Sequence, residues 1–256
     1  MAQGGDQLKE WIIGRNPVSE VLKTKRREVF RLQLAAGIEE KGRISEILRM
    51  ARERKVPVER IPKEKIAHLG ENPQGVALEV SRYPYVDLAD ILDLASRKQE
   101  DLFILMLDLI QNPQNLGTLL RSAEAAGVHG VLIPPHRAAE VTPAVVNASA
   151  GATEHLFIAQ GNLVQICNEL KKDGVWIVGL DGGENSKSVQ EVPLTGPIAV
   201  IVGNEGEGMR SLVRETCDFL LSLPMLGQIE SLNAAVAGSI ILYQVVLERR
   251  QKRSAA

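Results

Sequence analysis

Cysteine is scarce in this chain of 256 residues, which contains only Cys167 and Cys217. Without a C-x-x-C pair or a histidine cluster, these two residues support neither a disulfide framework nor a zinc site. We therefore expect two buried free thiols and no metal. No apolar run reaches the roughly 18 residues of a membrane span, and the start MAQGGDQLKE has no signal-peptide pattern. These absences predict a cytoplasmic protein with no membrane partner.

The chain also lacks a strong net charge, but its charges are unevenly distributed. Residues 1–85 hold 17 Lys and Arg against 12 Asp and Glu, a surplus of five, whereas the remainder holds 13 against 20. A basic N-terminal part favours contact with an acidic partner such as a nucleic acid.

A phosphate-binding loop is absent as well, although residues 200–209, VIVGNEGEGM, contain three glycines after an apolar run. Their spacing fits neither G-x-G-x-x-G nor G-x-x-x-x-G-K-[ST]. Glu205 and Glu207 would repel a phosphate at close range. The loop therefore favours a ligand without phosphate, such as a nucleoside with a positive centre. The alternative is a plain strand-to-helix turn.

Two domains are predicted from the pattern of strands and helices. Residues 29–81 alternate strands with one amphipathic helix, which gives a small α/β domain over 1–85. A segment rich in Pro, Tyr and charge suggests a linker at 86–100. From 101 to 256, near-continuous apolar strands alternate with helices, which is typical of a parallel sheet covered on both faces.

Three polar loops follow predicted strand ends in the second domain, where open α/β sheets gather their ligands. In the first loop we expect Asn115 to cap a helix with Arg121 in its second turn, although a surface arginine is an equal alternative. The second is the glycine-rich loop. In the third, Ser231 is the expected cap, followed by Asn233 and a helix face of small residues suited to close helix packing.

Together these loops, NLGTLLRSAEAAG, VGNEGEGM and LPMLGQIESLNAAVAGS, resemble the three motifs of the SpoU (TrmH) family of RNA ribose 2′-O-methyltransferases, within the SPOUT superfamily. The resemblance spans about 102–250, and NASAGATEHL at 147–156 is similar to the segment between the first two motifs. GRNPVSEVL and the domain to about residue 81 resemble the substrate-binding domain of RlmB-type members. Leu223, Ala234 and Ala235 differ from the residues that are common in the family, and these differences concern packing.

This resemblance implies a C-terminal α/β domain with a deep trefoil knot and a mostly parallel sheet, preceded by a small α/β substrate-binding domain. The implied cofactor is S-adenosylmethionine, which carries a sulfonium cation and no phosphate. Gly203, Leu223 and Leu232 match the cofactor-binding positions.

The polar residues at the family's functional positions are Asn115, Arg121, Glu205, Ser231 and Asn233. A guanidinium holds its proton strongly, so we expect Arg121 to bind the phosphate next to the ribose and orient the 2′-OH rather than act as the base. The other polar residues would position Arg121 and the ribose.

The expected substrate is ribosomal RNA, with a guanosine of the large-subunit (23S) RNA as the leading candidate. A tRNA methyltransferase of the same family and a non-catalytic RNA-binding protein are the alternatives. We expect a homodimer, because the last helix has a face of small residues and because members of the family build each site from two subunits. RNA affinity is assigned to the basic surplus of the first domain, which includes Lys23, Lys25, Arg26, Arg27 and Arg31.

Overall fold

Short strands alternate with helices throughout the computed structural model, which describes residues 8–183, 186–229 and 231–255. The strands are β1 (Lys9–Ile13), β2 (Val29–Ala35), β3 (Val58–Ile61), β4 (Val76–Ser81), β5 (Phe103–Leu107), β6 (Gly130–Ile133), β7 (Ile158–Gln160), β8 (Trp176–Leu180), β9 (Ile198–Val202) and β10 (Phe219–Leu221). The α-helices are α1 (Arg15–Thr24), α2 (Arg43–Glu53), α3 (Lys63–Ala67), α4 (Leu88–Lys98), α5 (Pro113–Ala125), α6 (Pro143–Ala148), α7 (Leu163–Lys172), α8 (Ser211–Glu215) and α9 (Ala234–Ala255). This alternation confirms the predicted α/β class.

The chain divides into two compact units. The N-terminal unit combines the residues up to Pro84 with Glu140–His155, and the second unit combines Tyr85–Ala139 with the residues from Leu156 onward. Where a linker was expected at 86–100, the structure has helix α4, whose Ile91 is buried in the core of the second unit. The excursion of 140–155 into the N-terminal unit was not predicted.

The N-terminal unit has a mixed four-stranded sheet in the order β1-β4-β2-β3. Strand β4 is antiparallel to both β1 and β2, whereas β2 and β3 are parallel. The predicted amphipathic helix is α2, which buries Ile44, Ile47, Leu48 and Ala51. Strand β1 and helix α1 were not predicted, and they precede the region 29–81 where the sequence pattern indicated strands and a helix.

A buried ion pair holds the segment Glu140–His155 in this unit. The Arg27 side chain is fully buried, and its Nε donates to Glu154 Oε2 at 3.1 Å while Nη1 donates to Glu10 Oε2 at 3.2 Å. The Glu154 side chain is also fully buried. A buried charge is costly unless it is paired. Glu154 therefore supplies a negative charge that balances the buried Arg27 of the N-terminal unit.

The basic residues assigned to RNA binding are largely engaged within the N-terminal unit. Burial of Arg27 shows that its assignment as a surface RNA contact is wrong. Lys23 and Arg31 form ion pairs with glutamates at 2.7 and 2.9 Å, and Arg26 donates to a tyrosine hydroxyl at 3.3 Å. Lys25 is exposed and has no ion-pair partner among the described residues, so the other cations available to a partner must be sought elsewhere on this unit.

The second unit is built on a six-stranded sheet in the order β10-β8-β9-β5-β6-β7. Every pair of neighbours in this sheet is parallel, which confirms the predicted parallel sheet. Strands β5, β6 and β9 are buried along their whole length because the sheet is covered on both faces. In the described ranges, no helix combines the length and apolarity needed to cross a membrane.

Both cysteines are free thiols in the second unit. Cys167 is fully buried, as expected, whereas Cys217 is half-buried. Burial raises the pKa of Cys217 to about 12, so the thiol stays protonated at neutral pH. Its sulfur lies 2.7 Å from the position that a Cβ on Gly179 would take, so the chain just after α8 packs closely against strand β8.

Candidate functional site

The three loops singled out in the sequence meet at one edge of the second sheet. They follow β5, β9 and β10, and β5 and β9 are neighbours in a parallel sheet. The carboxyl ends of these strands therefore lie side by side, where a ligand crevice is expected. A cavity of about 510 Å³ lies there.

The wall of this cavity contains all three residues predicted to bind the cofactor, Gly203, Leu223 and Leu232. It also contains Glu205 and Ser231 from the predicted polar set. Residues that the sequence analysis missed line it as well: Leu180, Asp181, Met209, Arg214 and Met225. The end of β8 thus adds a fourth loop to the site.

The glycine-rich loop folds back on itself and needs glycine at its base. Asn204 and Gly208 exchange two backbone hydrogen bonds of 3.0 Å, which close the loop. A Cβ on Gly203 would lie 2.6 Å from both the Gly208 carbonyl oxygen and the Met209 nitrogen. Gly208 itself has φ +68, a conformation that favours glycine. This geometry exceeds what a plain turn requires.

A buried aspartate anchors the same loop to the end of β5. Asp108 is fully buried and accepts from the Arg210 backbone nitrogen and Nε, each at 2.8 Å. Asn204 Nδ2 donates to the carbonyl of Leu109, whose φ is +59. The sequence analysis did not assign Asp108, although a lone carboxylate directly after an apolar strand was a usable signal.

One side chain joins the three motif loops. Asn233 Nδ2 donates to Asn115 Oδ1 at 3.1 Å and to Glu205 Oε2 at 2.9 Å. Its Oδ1 accepts from the backbone nitrogens of Ala235 and Val236 at 3.0 and 3.3 Å. Asn115, Glu205 and Asn233, one from each predicted motif, therefore form a single hydrogen-bonded cluster beside the cavity.

Two helix caps differ from the predictions. Helix α5 is capped by Asn112, whose Oδ1 accepts from Gln114 N at 2.8 Å, and not by Asn115. Helix α9 is capped by Asn233 and not by Ser231. The cap prediction was wrong in both cases, and both predicted residues are left free for other contacts.

The small-residue face of α9 packs within its own chain. A Cβ on Gly238 would lie 2.6 Å from a methyl group of Leu119 on α5. The Oγ atoms of Ser239 and Ser122 are 2.7 Å apart, which also joins the two helices. The predicted close helix contact is thus confirmed at Gly238 and Ser239, but it is intramolecular, and Ala234 and Ala237 of the same face line the cavity. It therefore gives no support to the predicted homodimer.

Arg121 stands apart from the cluster. It lies in the third turn of α5 instead of the second, its side chain is exposed, and it does not line the cavity. Across the ranges that the structure describes, it forms no hydrogen bond and no ion pair. The structure therefore leaves this guanidinium available to a group outside the chain.

The electrostatics of the cavity favour a cationic, phosphate-free ligand. Glu205, Glu207 and Asp181 line it, and Asp181 accepts from Arg214 Nε at 2.6 Å. Arg214 is therefore already paired, and the two loop glutamates face the cavity with no partner cation among the described residues. A phosphate would meet net repulsion here, whereas a sulfonium would be attracted. The acidic residues of the cavity therefore fit the sulfonium of S-adenosylmethionine.

Comparisons with known proteins give the same assignment. Residues 102–243 match the SpoU rRNA Methylase family, and residues 11–86 match the family "RNA 2'-O ribose methyltransferase substrate binding". A Bacillus subtilis (strain 168) protein named "Putative TrmH family tRNA/rRNA methyltransferase YacO" is 37% identical over 246 residues, which cover 95% of this chain and 97% of that protein.

Two solved structures are also similar. The SpoU methyltransferase AviRb from Streptomyces viridochromogenes, crystallised with AdoMet, has a TM-score of 0.77 at 28% identity, over 94% of this chain and 90% of its own. A TrmH/SpoU tRNA modifying enzyme of A. aeolicus has a TM-score of 0.54 at 30% identity, over 59% of this chain and 77% of its own.

The chain therefore belongs to the SpoU (TrmH) family of RNA methyltransferases. Its cofactor is S-adenosylmethionine, and its substrate class is RNA. The family domains match the two-part architecture that the sequence predicted, a substrate-binding domain followed by a SpoU domain.

We expect Gly203→Ala to abolish cofactor binding, because the added methyl group forces apart the closed loop of 203–208. Gly206→Ala is the matched control, since a Cβ there meets nothing closer than 3.9 Å. Isothermal calorimetry with S-adenosylmethionine, together with a thermal melt, measures both effects. Equal affinities in the two variants would show that the close approach at Gly203 does not shape the cofactor pocket.

Proposed function

We propose that the protein transfers the methyl group of S-adenosylmethionine to a ribose 2′-OH in ribosomal RNA, with a guanosine of the large-subunit RNA as the target. The observation that carries this proposal is the hydrogen-bonded cluster of Asn115, Glu205 and Asn233 at the edge of a cavity fit for a sulfonium. The bound cofactor supplies an electrophilic methyl group. The residues of the chain must then orient the hydroxyl and assist its loss of a proton.

Each polar residue has a role in this arrangement. Asn233 holds Glu205 at the cavity edge, where its carboxylate and the Ser231 hydroxyl orient the ribose. Asn115 fixes the Asn233 amide from the side of α5. Arg121 binds the phosphate next to the target ribose through its two-pronged guanidinium and holds the hydroxyl in line. The phosphate relays the hydroxyl proton to solvent.

Ribosomal RNA is favoured over tRNA by the extent of the structural matches. The tRNA modifying enzyme of A. aeolicus matches only 59% of this chain, and the family that residues 102–243 match is described as an rRNA methylase family. This chain also contains the substrate-binding domain over 11–86. An additional binding domain favours a large, folded RNA target.

We also propose that two copies form the active enzyme. Helix α9 exposes Val236, Ile240, Tyr243 and Leu247, each at least 43% exposed, at spacings of four, three and four residues. This is the spacing of a helix seam that packs against another helix. Ile240 is next to Ser239 and Arg121 is next to Ser122, whose hydroxyls are in contact. A copy docked on this seam would bring Arg121 close to its partner's surface.

Two further expectations, the knot and the cellular location, stay proposals. The deep trefoil knot would be formed by the chain around the loops after β9 and β10, and family membership is its support. The cytoplasmic location predicted from the sequence is likewise retained.

We expect Arg121→Ala to leave S-adenosylmethionine affinity nearly unchanged and to slow methyl transfer by two to four decades. That loss corresponds to about 3 to 5 kcal/mol of orientation and electrostatic stabilisation. Arg121→Lys should restore little, because one ammonium cannot reproduce the fork. Single-turnover methylation of RNA from cells lacking the protein, with calorimetry of the cofactor, measures both. Arg97→Ala, an exposed arginine of α4, is the control; a wild-type rate in Arg121→Ala would contradict the mechanism.

The seam on α9 predicts that Ile240→Glu converts a dimer into a monomer, because it places a charge in the apolar contact. Light scattering should give twice 27.9 kDa for the wild type and 27.9 kDa for the variant. Leu212→Glu changes another apolar residue, 65% exposed on α8 and outside the seam, and should remain dimeric. A wild-type mass of one chain at micromolar concentration would refute the proposed dimer.

Mapping 2′-O-methylation in RNA from cells lacking the protein tests the substrate. We expect one methylated nucleotide of the large-subunit ribosomal RNA to be lost and to return with the wild-type gene, but not with the Arg121→Ala gene. Loss of a tRNA methylation would instead support the alternative tRNA methyltransferase. An unchanged map would favour a non-catalytic RNA-binding protein.

A further inference from the structure

The N-terminal unit contains a second concave site, unrelated to the cofactor cavity. It encloses about 770 Å³ and is formed by the start of α1, the loop after β2, helix α3 and the loop before β4. All four segments lie within residues 11–86, the substrate-binding family match.

The floor of this groove is apolar and its rim is polar. Ala35 and Ile66 are buried beneath it, and Ile38 is half-buried. At the rim, Asn72 and Gln74 lie on the loop before β4 and present side-chain amides. Both residues have φ +52, in the left-handed region. An apolar floor with a few amides at the rim suits the face and the edge of a flat heterocycle.

The charge of the groove is positive. Arg15 and Lys63 line it and both are exposed, and none of the described residues in its wall is a carboxylate. The Arg15 side chain forms no ion pair among the described residues. Its Nε donates to the Gln74 carbonyl oxygen at 3.4 Å, and its backbone N donates to Gln74 Oε1 at 3.0 Å. Lys63 has no ion-pair partner in those same ranges. This contrasts with Lys23, Arg27 and Arg31, whose charges are paired within the unit.

The neighbouring helix end adds to this field. Helix α1 begins at Arg15 with no acidic residue in its first turn, so its positive end is not offset by a helix side chain. Gln74 Oε1 accepts one of the free N–H groups there. The Gln74 amide nitrogen has no acceptor within the described residues and is free to donate to a ligand.

We infer that this groove binds an unstacked nucleotide of the RNA substrate, with the base on the apolar floor and the flanking phosphates on Arg15 and Lys63. The inference rests on the proposed function, because it assumes that the N-terminal unit meets RNA. Single strands and loops expose bases in this way, whereas a duplex hides them. The groove therefore selects unpaired RNA, whose exposed bases can reach the apolar floor.

The test compares Arg15→Glu/Lys63→Glu with Arg52→Glu/Lys55→Glu in the full-length protein. Both double variants change the charge of the N-terminal unit equally, but Arg52 and Lys55 do not line the groove. The probe is a fluorescein-labelled RNA of about twelve nucleotides, single-stranded or annealed to its complement. Fluorescence anisotropy is read over a range of salt concentrations.

We expect the groove variant to bind the single-stranded probe at least tenfold more weakly than the control variant. The slope of log affinity against log salt should fall by about 1.4, the value for two phosphate contacts on a single strand. S-adenosylmethionine affinity should be unchanged, and methylation at saturating RNA should keep its rate while the RNA concentration for half-maximal rate rises.

Equal affinities of the two double variants, or a wild-type preference for the duplex probe, would overturn the groove assignment. Methylation of RNA by the wild type would still stand in that case. Conversely, a wild type that bound S-adenosylmethionine and RNA without methylating it would refute the proposed function, while a groove-dependent affinity would still support the inference.

Discussion

The amide of Asn233 is the contact on which the catalytic unit depends. Its oxygen caps α9, and its nitrogen donates to Asn115 on one side and Glu205 on the other. All of its hydrogen-bonding capacity is therefore used, and the three motif loops hold one another through a single group. An aspartate would cap the helix equally well but would place a carboxylate against Glu205. Only an amide satisfies both demands.

The cavity around this amide is shaped by close backbone contact more than by side chains. Gly203 approaches the backbone of the loop's far end, and Gly238 brings α9 against Leu119. Asp108 holds the end of the glycine-rich loop by accepting a hydrogen bond from Arg210. Such an arrangement is rigid because each contact excludes a larger side chain. A flexible loop would have to be ordered at each turnover, at a cost in conformational entropy.

Most of the catalytic unit could be read from the sequence because its signals are local. Apolar runs predicted the strands β5, β9 and β10, and the motif loops lie at their ends. Caps were harder, since Asn and Ser suit several positions; the Pro after Asn112 was the decisive and overlooked signal. The partner of Arg27 could not be predicted, because Glu154 is 127 residues away and a charge count carries no such information.

The placement of Glu140–His155 in the N-terminal unit has a consequence for synthesis of the chain. Arg27 is made early, but its partner Glu154 emerges only after a large part of the second unit. The N-terminal unit therefore cannot complete its core while the ribosome has delivered only residues up to 84. Domains usually fold as units in the order in which they are made. Here the core of the first unit is completed only after residues 85–139 of the second unit have been made, and until then Arg27 has Glu10 but not Glu154 as a counterion.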